Sequence, residues 1–450
     1  MDHVSSELLE LYAQHPERVP DRRAVEIHVA SCAACTKTLQ AIREFSELLA
    51  DPETWGAPER DPAARERAEE LRAYRERSAV EDREARVLFA KYQSTPISQV
   101  VWDDLASVPA YRMGGVVRYL CKWANEMCER SALAALALAE VSVRISAALD
   151  PAEFPRSSVH GLRGDALKEQ ANALRFLGRL PEALEALDQA EAEYEQMPVP
   201  GVGTVAVQYI RATVLYEQDR FDDAERLARE SERAAVHIGE IDRAMRARHL
   251  QGEILYQRGD FSSAAEQFRH VYAYGEAEND RIWMAREALT LGCCYIELGE
   301  LETARRSLDR ALTLFSTLEF EPEVSRTHWA LGRLYMRQGK THEAIRRLRA
   351  CMADFTRYEL MNDAALVAID LAEMLDATSR SAEIPRLLTG VVETFTRAGK
   401  LTGALTALAY LRTAAANGTM TPVLVAEVRR FVARADRHPD VIFAPPPLPL

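Results

Sequence analysis

The residues whose types and spacing point most directly to chemistry are His28, Cys32 and Cys35. On a helix, His28 and Cys32 share a face, and Cys35 lies about one turn further on. Imidazole nitrogen and thiolate sulfur are Zn²⁺ ligands, so these three side chains supply all but one position of a closed tetrahedral site. The fourth ligand must come from elsewhere; His3 is the best candidate, with Asp2 and His15 as weaker ones. Cys-x-x-Cys alone also occurs as a pair of buried small side chains or as a redox dithiol. Metal is favoured by size, because a segment of about 50 residues with short helices buries too little apolar surface to stand without a staple.

Three apolar faces must position these groups. Leu8, Leu9, Leu11 and Tyr12 give the first, Val25, Ile27 and Val29 the second, and Leu39, Ile42, Phe45, Leu48 and Leu49 the third. With His3 ahead of them and the His28-x3-Cys32-x2-Cys35 knuckle between the second and third, residues 1–50 resemble the zinc-binding anti-sigma factor domain of bacteria. The resemblance implies that His3, His28, Cys32 and Cys35 are the zinc ligands, and that the domain binds an extracytoplasmic-function-type sigma factor. It also places a fourth, partner-gripping helix where Pro62 to Lys91 stand. The residues themselves read there as a charged connector helix, rich in opposite charges at i, i+3 and i, i+4, within a linker region 51–95.

Composition bounds the rest. A chain of 450 residues exceeds one ordinary domain, and only 20 Gly and 20 Pro among abundant Ala and Leu favour helix throughout. The net charge of −13 argues against a general nucleic-acid binder, which needs clustered excess Lys and Arg. Seven scattered cysteines fit a reducing compartment better than a disulfide framework. With no signal-peptide pattern at Met1-Asp2-His3, and Glu140 interrupting the Ala-rich run from Ala132 to Val143, a soluble, cytoplasmic protein without membrane contact is expected.

After Thr95-Pro96 the chain reads as paired helices. The turns Leu177-Gly178, Gln218-Asp219, Arg258-Gly259, Leu298-Gly299 and Gln338-Gly339 follow one another at 41, 40, 40 and 40 residues. Ala171, Ala212, Gly252, Gly292 and Gly332 precede them by seven positions, and Leu174, Leu215, Leu255, Tyr295 and Tyr335 by four. Ala183, Ala224, Ala264, Ala304 and Ala344 follow by five. This set resembles the tetratricopeptide repeat, with a period of 40 rather than 34. The expected fold is all-α: a small zinc-stabilised helical bundle followed by a right-handed tetratricopeptide-type α-solenoid over 96–435. Its clear repeats run over about 160–360, with a degenerate pair at 108–149 and closing helices at 363–435, and residues 436–450 form a proline-rich tail.

Catalysis is not expected. Gly339-Lys340-Thr341 ends like a phosphate-binding loop, but that motif needs Gly at Leu334 and a preceding strand. The concave surface is the expected working face. By repeat position it carries Lys168, Asn172, Tyr209, Tyr216, Arg246, Tyr256, Arg286, Arg326, Trp329, Arg333 and Arg337. Such a stripe favours an acidic peptide or a C-terminal carboxylate, bound through charge-assisted hydrogen bonds. The sequence therefore reads as a non-enzymatic bacterial regulator or adaptor, with a sigma factor expected at the head and a second protein or acidic peptide at the repeats. The alternatives are a general scaffold with a purely structural zinc site and a thiol redox sensor that releases zinc on oxidation.

Overall fold

The computed structural model describes residues 4, 6–14, 16, 19, 22–50, 62–90, 92, 105–128, 130–150, 154, 156–197, 201–398, 402–435 and 443–444. They form twenty α-helices, three short 3₁₀ turns and, among the described residues, no strand. No helix among them is long and apolar enough to cross a membrane. The chain divides into two compact units, Met1–Arg77 and Ser78–Leu450.

In the first unit, α1 (Ser6–Gln14), α2 (Arg22–Ser31) and α3 (Ala33–Ala50) enclose a core of Leu9, Val19, Val25, Cys35 and Leu39. Val25 and Val29, four residues apart, face this core, while Ile27 between them points outward and is 63% exposed. Ile27 is thus a correction to the apolar face read from the sequence. The side chains of Phe45, Leu48 and Leu49 lie outside the described residues.

The second unit begins within α4 (Pro62–Ala90). The half of α4 from Ser78 onward buries Glu81, Ala85 and Phe89, with Phe89 stacked on Tyr119 of α5 (Gly114–Met127) at 5.1 Å. Gly115 permits this approach, since a Cβ there would lie 2.3 Å from the Glu81 backbone. Glu81 in turn accepts the Gly115 N–H at 3.0 Å, which satisfies one of the orphan donors at the start of α5. α5 pairs with α6 (Ala132–Ala147).

The repeats follow as α7 (Arg156–Phe176) with α8 (Leu180–Glu195), α9 (Val202–Glu217) with α10 (Phe221–His237), and α11 (Ile241–Gln257) with α12 (Phe261–Ala277). They continue as α13 (Arg281–Glu297) with α14 (Leu301–Thr317) and α15 (Glu321–Arg337) with α16 (Thr341–Arg357). Small residues set the distance within each pair. A Cβ on Gly252 would lie 2.6 Å from the Phe268 ring, and one on Gly292 would lie 2.5 Å from Leu308. Ala183, Ala224, Ala264, Ala304 and Ala344 are all fully buried. First helices touch first helices, α7 on α9, α9 on α11, α13 on α15 and α15 on α17, so the odd-numbered row is the inner one.

Regular repeats extend further than the turn motif reveals. α17 (Met361–Ala377) with α18 (Ile384–Ala398) keeps the register: Ala372 holds the small position, and Ser379 takes φ +58°, the left-handed conformation that Gly339 has in the previous repeat. α19 (Thr402–Ala416) and α20 (Pro422–Ala435) close the array. α20 lies against α17 on the inner side, and Arg434 near its end reaches Asp219 at the α9–α10 turn at 2.5 Å. Of the tail, only 443–444 are described, and Phe443 packs edge-on against Phe431 at 5.2 Å.

Candidate functional site

His28 stands in the last turn of α2, Cys32 between α2 and α3, and Cys35 in the first turn of α3. The junction is pinned by backbone bonds: Cys32 N–H donates to the His28 carbonyl at 2.8 Å, and the Cys32 carbonyl accepts from Thr36 at 3.0 Å. Thr36 Oγ1 also donates back to the Val29 carbonyl at 2.6 Å. The three ligand atoms lie within 4.8 Å of one another, and His28 Nε2 is 3.4 Å from Cys35 Sγ. A tetrahedral zinc with ordinary Zn–N and Zn–S bonds spaces such a pair by about 3.6 Å, so the donor set fits that metal with little adjustment. Cys35 is buried, while His28 and Cys32 are half-buried, which leaves an accessible side for another ligand. His3, Asp2 and His15 lie outside the described residues.

In the second unit, the residues expected on the concave face sit on first helices, and most are already engaged. Lys168 is largely buried, 3.3 Å from Asp165 and 3.1 Å from Glu169. Burial alone would lower its pKa, but these two carboxylates outweigh that and raise it. Asn172 donates to Cys128 Sγ at 3.5 Å and accepts from Arg175. Tyr209 packs between two apolar clusters, Tyr216 rests against Phe221 at 5.8 Å, and Tyr256 meets Phe261 edge-on at 5.1 Å.

The arginines pair mainly along the inner row. Arg246 binds Asp242 at 2.9 Å and lies 5.9 Å from the Trp283 ring centroid. Arg326 bonds Asp363 at 2.9 Å, and Arg333 and Arg337 close on Glu297 at 2.6 and 2.8 Å. Trp329 donates its indole N–H to Asp370 at 2.7 Å, and Asp370 also receives Arg429 of α20 at 2.8 Å. Arg286 is exposed. The structure thus brings Tyr256, Arg333 and Arg337 together around Glu297 and links Trp329 to the closing helix. Lys168 and Asn172 stay in a separate cluster at the start of the array.

Sequence reasoning missed the carboxylates Glu297, Asp363 and Asp370. A usable signal was present: each stands about one period from its partner, as in Glu297–Arg337, 40 residues apart, and Trp329–Asp370, 41 apart. It also missed His249 and Glu287. Their nearest atoms are 2.7 Å apart but off the hydrogen-bond axis, and Glu287 is fully buried. The thiols Cys121, Cys294 and Cys351 are pushed up to about 12 by burial, which makes them poor nucleophiles near neutrality.

Residues 168–235 and 209–281, and then 283–357, match family models of the tetratricopeptide repeat. The array built from α7 to α16 is a tetratricopeptide solenoid. Among solved structures, the chain is similar to the apo form of RapI, at 14% identity over 76% of this chain and 98% of that one, with a TM-score of 0.47. It is similar to the apo form of the quorum sensor NprR from B. thuringiensis, at 12% identity over 72% and 99%, TM-score 0.47. A third is aspartyl phosphate phosphatase F from Bacillus subtilis, at 14% identity over 76% and 96%, TM-score 0.45. No curated protein matches the chain.

Proposed function

We propose that this protein is a non-enzymatic regulatory adaptor in a reducing cytoplasm, with a zinc-held head and a tetratricopeptide array that each engage a protein. The observation that carries the reading is the meeting of His28, Cys32 and Cys35 at the α2–α3 junction, ahead of an array built for binding. Zinc would be held by these three side chains with His3 as the fourth ligand, and its contribution would be to fix α2 against α3. The head would then present its outer helical surface to an extracytoplasmic-function-type sigma factor and keep that factor from RNA polymerase. The exposed Ile27, lying outside the core, would supply an apolar contact for such a partner.

The inner row would bind a second protein that tunes the first. With its first helices packed on one another and most of its charges paired, it offers a rigid surface rather than reactive groups. The test is co-expression of the full chain, or its Cys32→Ser variant, with a sigma factor of that class, followed by size-exclusion chromatography. A zinc-dependent complex is expected. A zinc-loaded chain that elutes apart from every such factor would reject the sigma reading and leave a scaffold with a structural metal.

A further inference from the structure

Most of the inner-row arginines named above are matched by carboxylates; on the outer helices α14 and α16, Arg305, Arg349 and Arg357 pair with Asp309, Glu383 and Asp354, whereas Arg306, Arg346 and Arg347 close no ion pair among the described residues. Three cations surround the Tyr335 ring of α15, Arg347 at 5.5 Å, Lys340 at 5.7 Å and Arg305 at 5.8 Å from its centroid. Arg305 donates to the Tyr335 hydroxyl at 2.9 Å and pairs with Asp309 at 2.8 Å. Arg347 donates instead to His328 Nδ1. An imidazole nitrogen that accepts must be unprotonated, and burial, followed by the Arg347 charge, holds His328 below its ordinary pKa. The Arg347 guanidinium is therefore oriented without its charge being cancelled.

Lys340 at the α15–α16 turn is exposed, and no carboxylate pairs with it among the described residues. The same holds for Arg346, which stands one period after Arg306 on the same outer ridge. Among the described residues, the Arg306 side chain bonds only the Thr303 hydroxyl. Against these cations the two helices set Glu302, Asp309, Glu343 and Asp354; Asp309 pairs with Arg305 and Asp354 with Arg357, while Glu302 and Glu343 close no ion pair among the described residues. A concentration of uncompensated positive charge on a chain of net charge −13 steers anionic partners to one place.

We propose that the face formed by α14, the α15–α16 turn and α16 docks an acidic peptide segment of a protein partner, centred on Tyr335. Because three cations lie within 5.8 Å of one centroid, no two are more than about 12 Å apart, the reach of three to four extended residues. Alternate carboxylates of such a segment meet Arg347 and Lys340 by charge-assisted hydrogen bonds, and the Tyr335 ring supplies apolar contact between them. This relocates the acidic partner from the inner row, where Glu297 and Asp363 already occupy the arginines, to the outer edge. The proposal needs only the tetratricopeptide array and is independent of zinc and of any sigma factor.

The experiment titrates the full chain into fluorescein-labelled decaglutamate at about 50 and about 200 mM salt, with a single-stranded DNA of equal charge in parallel. Salt-sensitive peptide binding is expected. It should weaken at least about tenfold in Lys340→Glu/Arg346→Glu, two exposed sites that close no ion pair among the described residues, with an unchanged thermal melt, and stay within about twofold in the inner-row variant Arg337→Glu. No binding by the wild type, or a loss that follows Arg337→Glu instead, overturns the assignment. So does DNA binding tighter than peptide binding, which would make the face a nucleic-acid surface.

Discussion

Arg333 on α15 closes on Glu297 on α13 at 2.6 Å, so a guanidinium on one inner helix is neutralised by the preceding repeat. Arg337, one turn on, takes the other oxygen of the same carboxylate at 2.8 Å. Glu297→Gln removes the charge that holds both. The expected cost is about 1–3 kcal/mol in denaturant unfolding, as for charged hydrogen bonds that are partly shielded from water. An unchanged midpoint would show that the two arginines find other acceptors without loss.

Purified wild type is expected to carry one zinc per chain, and Cys32→Ser and Cys35→Ser to carry little. Elemental analysis decides this, and equal zinc in all three would remove the metal from the knuckle. Chelation should unfold the head, lowering helix content at low temperature, while the main thermal transition of the array stays in place.

Two glycines respond in opposite directions to the same change. Gly252→Ala forces a methyl into the Phe268 ring and should destabilise by about 1–3 kcal/mol. Gly390, exposed on α18 with open space at its Cβ position, should gain about 0.5–1 kcal/mol from Ala through helix propensity. Thermal melts of the two variants check the sign of each.

His249 on α11 faces Glu287 from α13 and Glu253 from its own helix, between the rings of Phe268 and Trp283. Burial alone would lower its pKa, but Glu287 and then Glu253 outweigh this and hold it well above 6.5. The folded state therefore binds the proton more tightly than the unfolded state. The resulting stability is fully present below pH 6.5 and is lost as pH rises through the folded value. Melts from neutral to alkaline pH should show the wild type falling more steeply than His249→Gln. Removing the imidazole should itself cost about 3 kcal/mol near neutrality, since it strands a buried carboxylate. Parallel curves would mean that the pair carries no charge.

The array was largely legible because its signal is periodic: a left-handed turn residue, glycine in four of the five turns and Asp219 in the other, and small residues at a helix crossing recur every 40 or 41 residues and constrain the backbone directly. The sixth unit, around Leu371, Leu375 and Ser379, read only as degenerate because Ser379 and Ala372 meet the same geometric demands with other side chains. The charge pattern was half legible. Arg333, Arg337 and Trp329 could be placed on first helices, but their partners Glu297 and Asp370 needed the spacing between helices as well as the position within one. At the head, three donors could be read from local helix spacing, whereas a fourth donor distant in sequence has no such rule. Ile27 misled because an apolar residue two positions from a buried one falls on the opposite side of a helix.

The contact between Arg434 and Asp219 joins residues 215 apart in the chain. Nearly everything else in the array is assembled from neighbours, so its folding can start at any repeat and spread in either direction. This tie cannot form until the intervening repeats have acquired their curvature. It is an exposed pair worth at most about 1 kcal/mol, so it comes last in assembly and is the first long-range link to be lost. The curvature of the array is therefore soft at this seam, and the closing helix can part from the α9–α10 turn while every repeat between them stays folded.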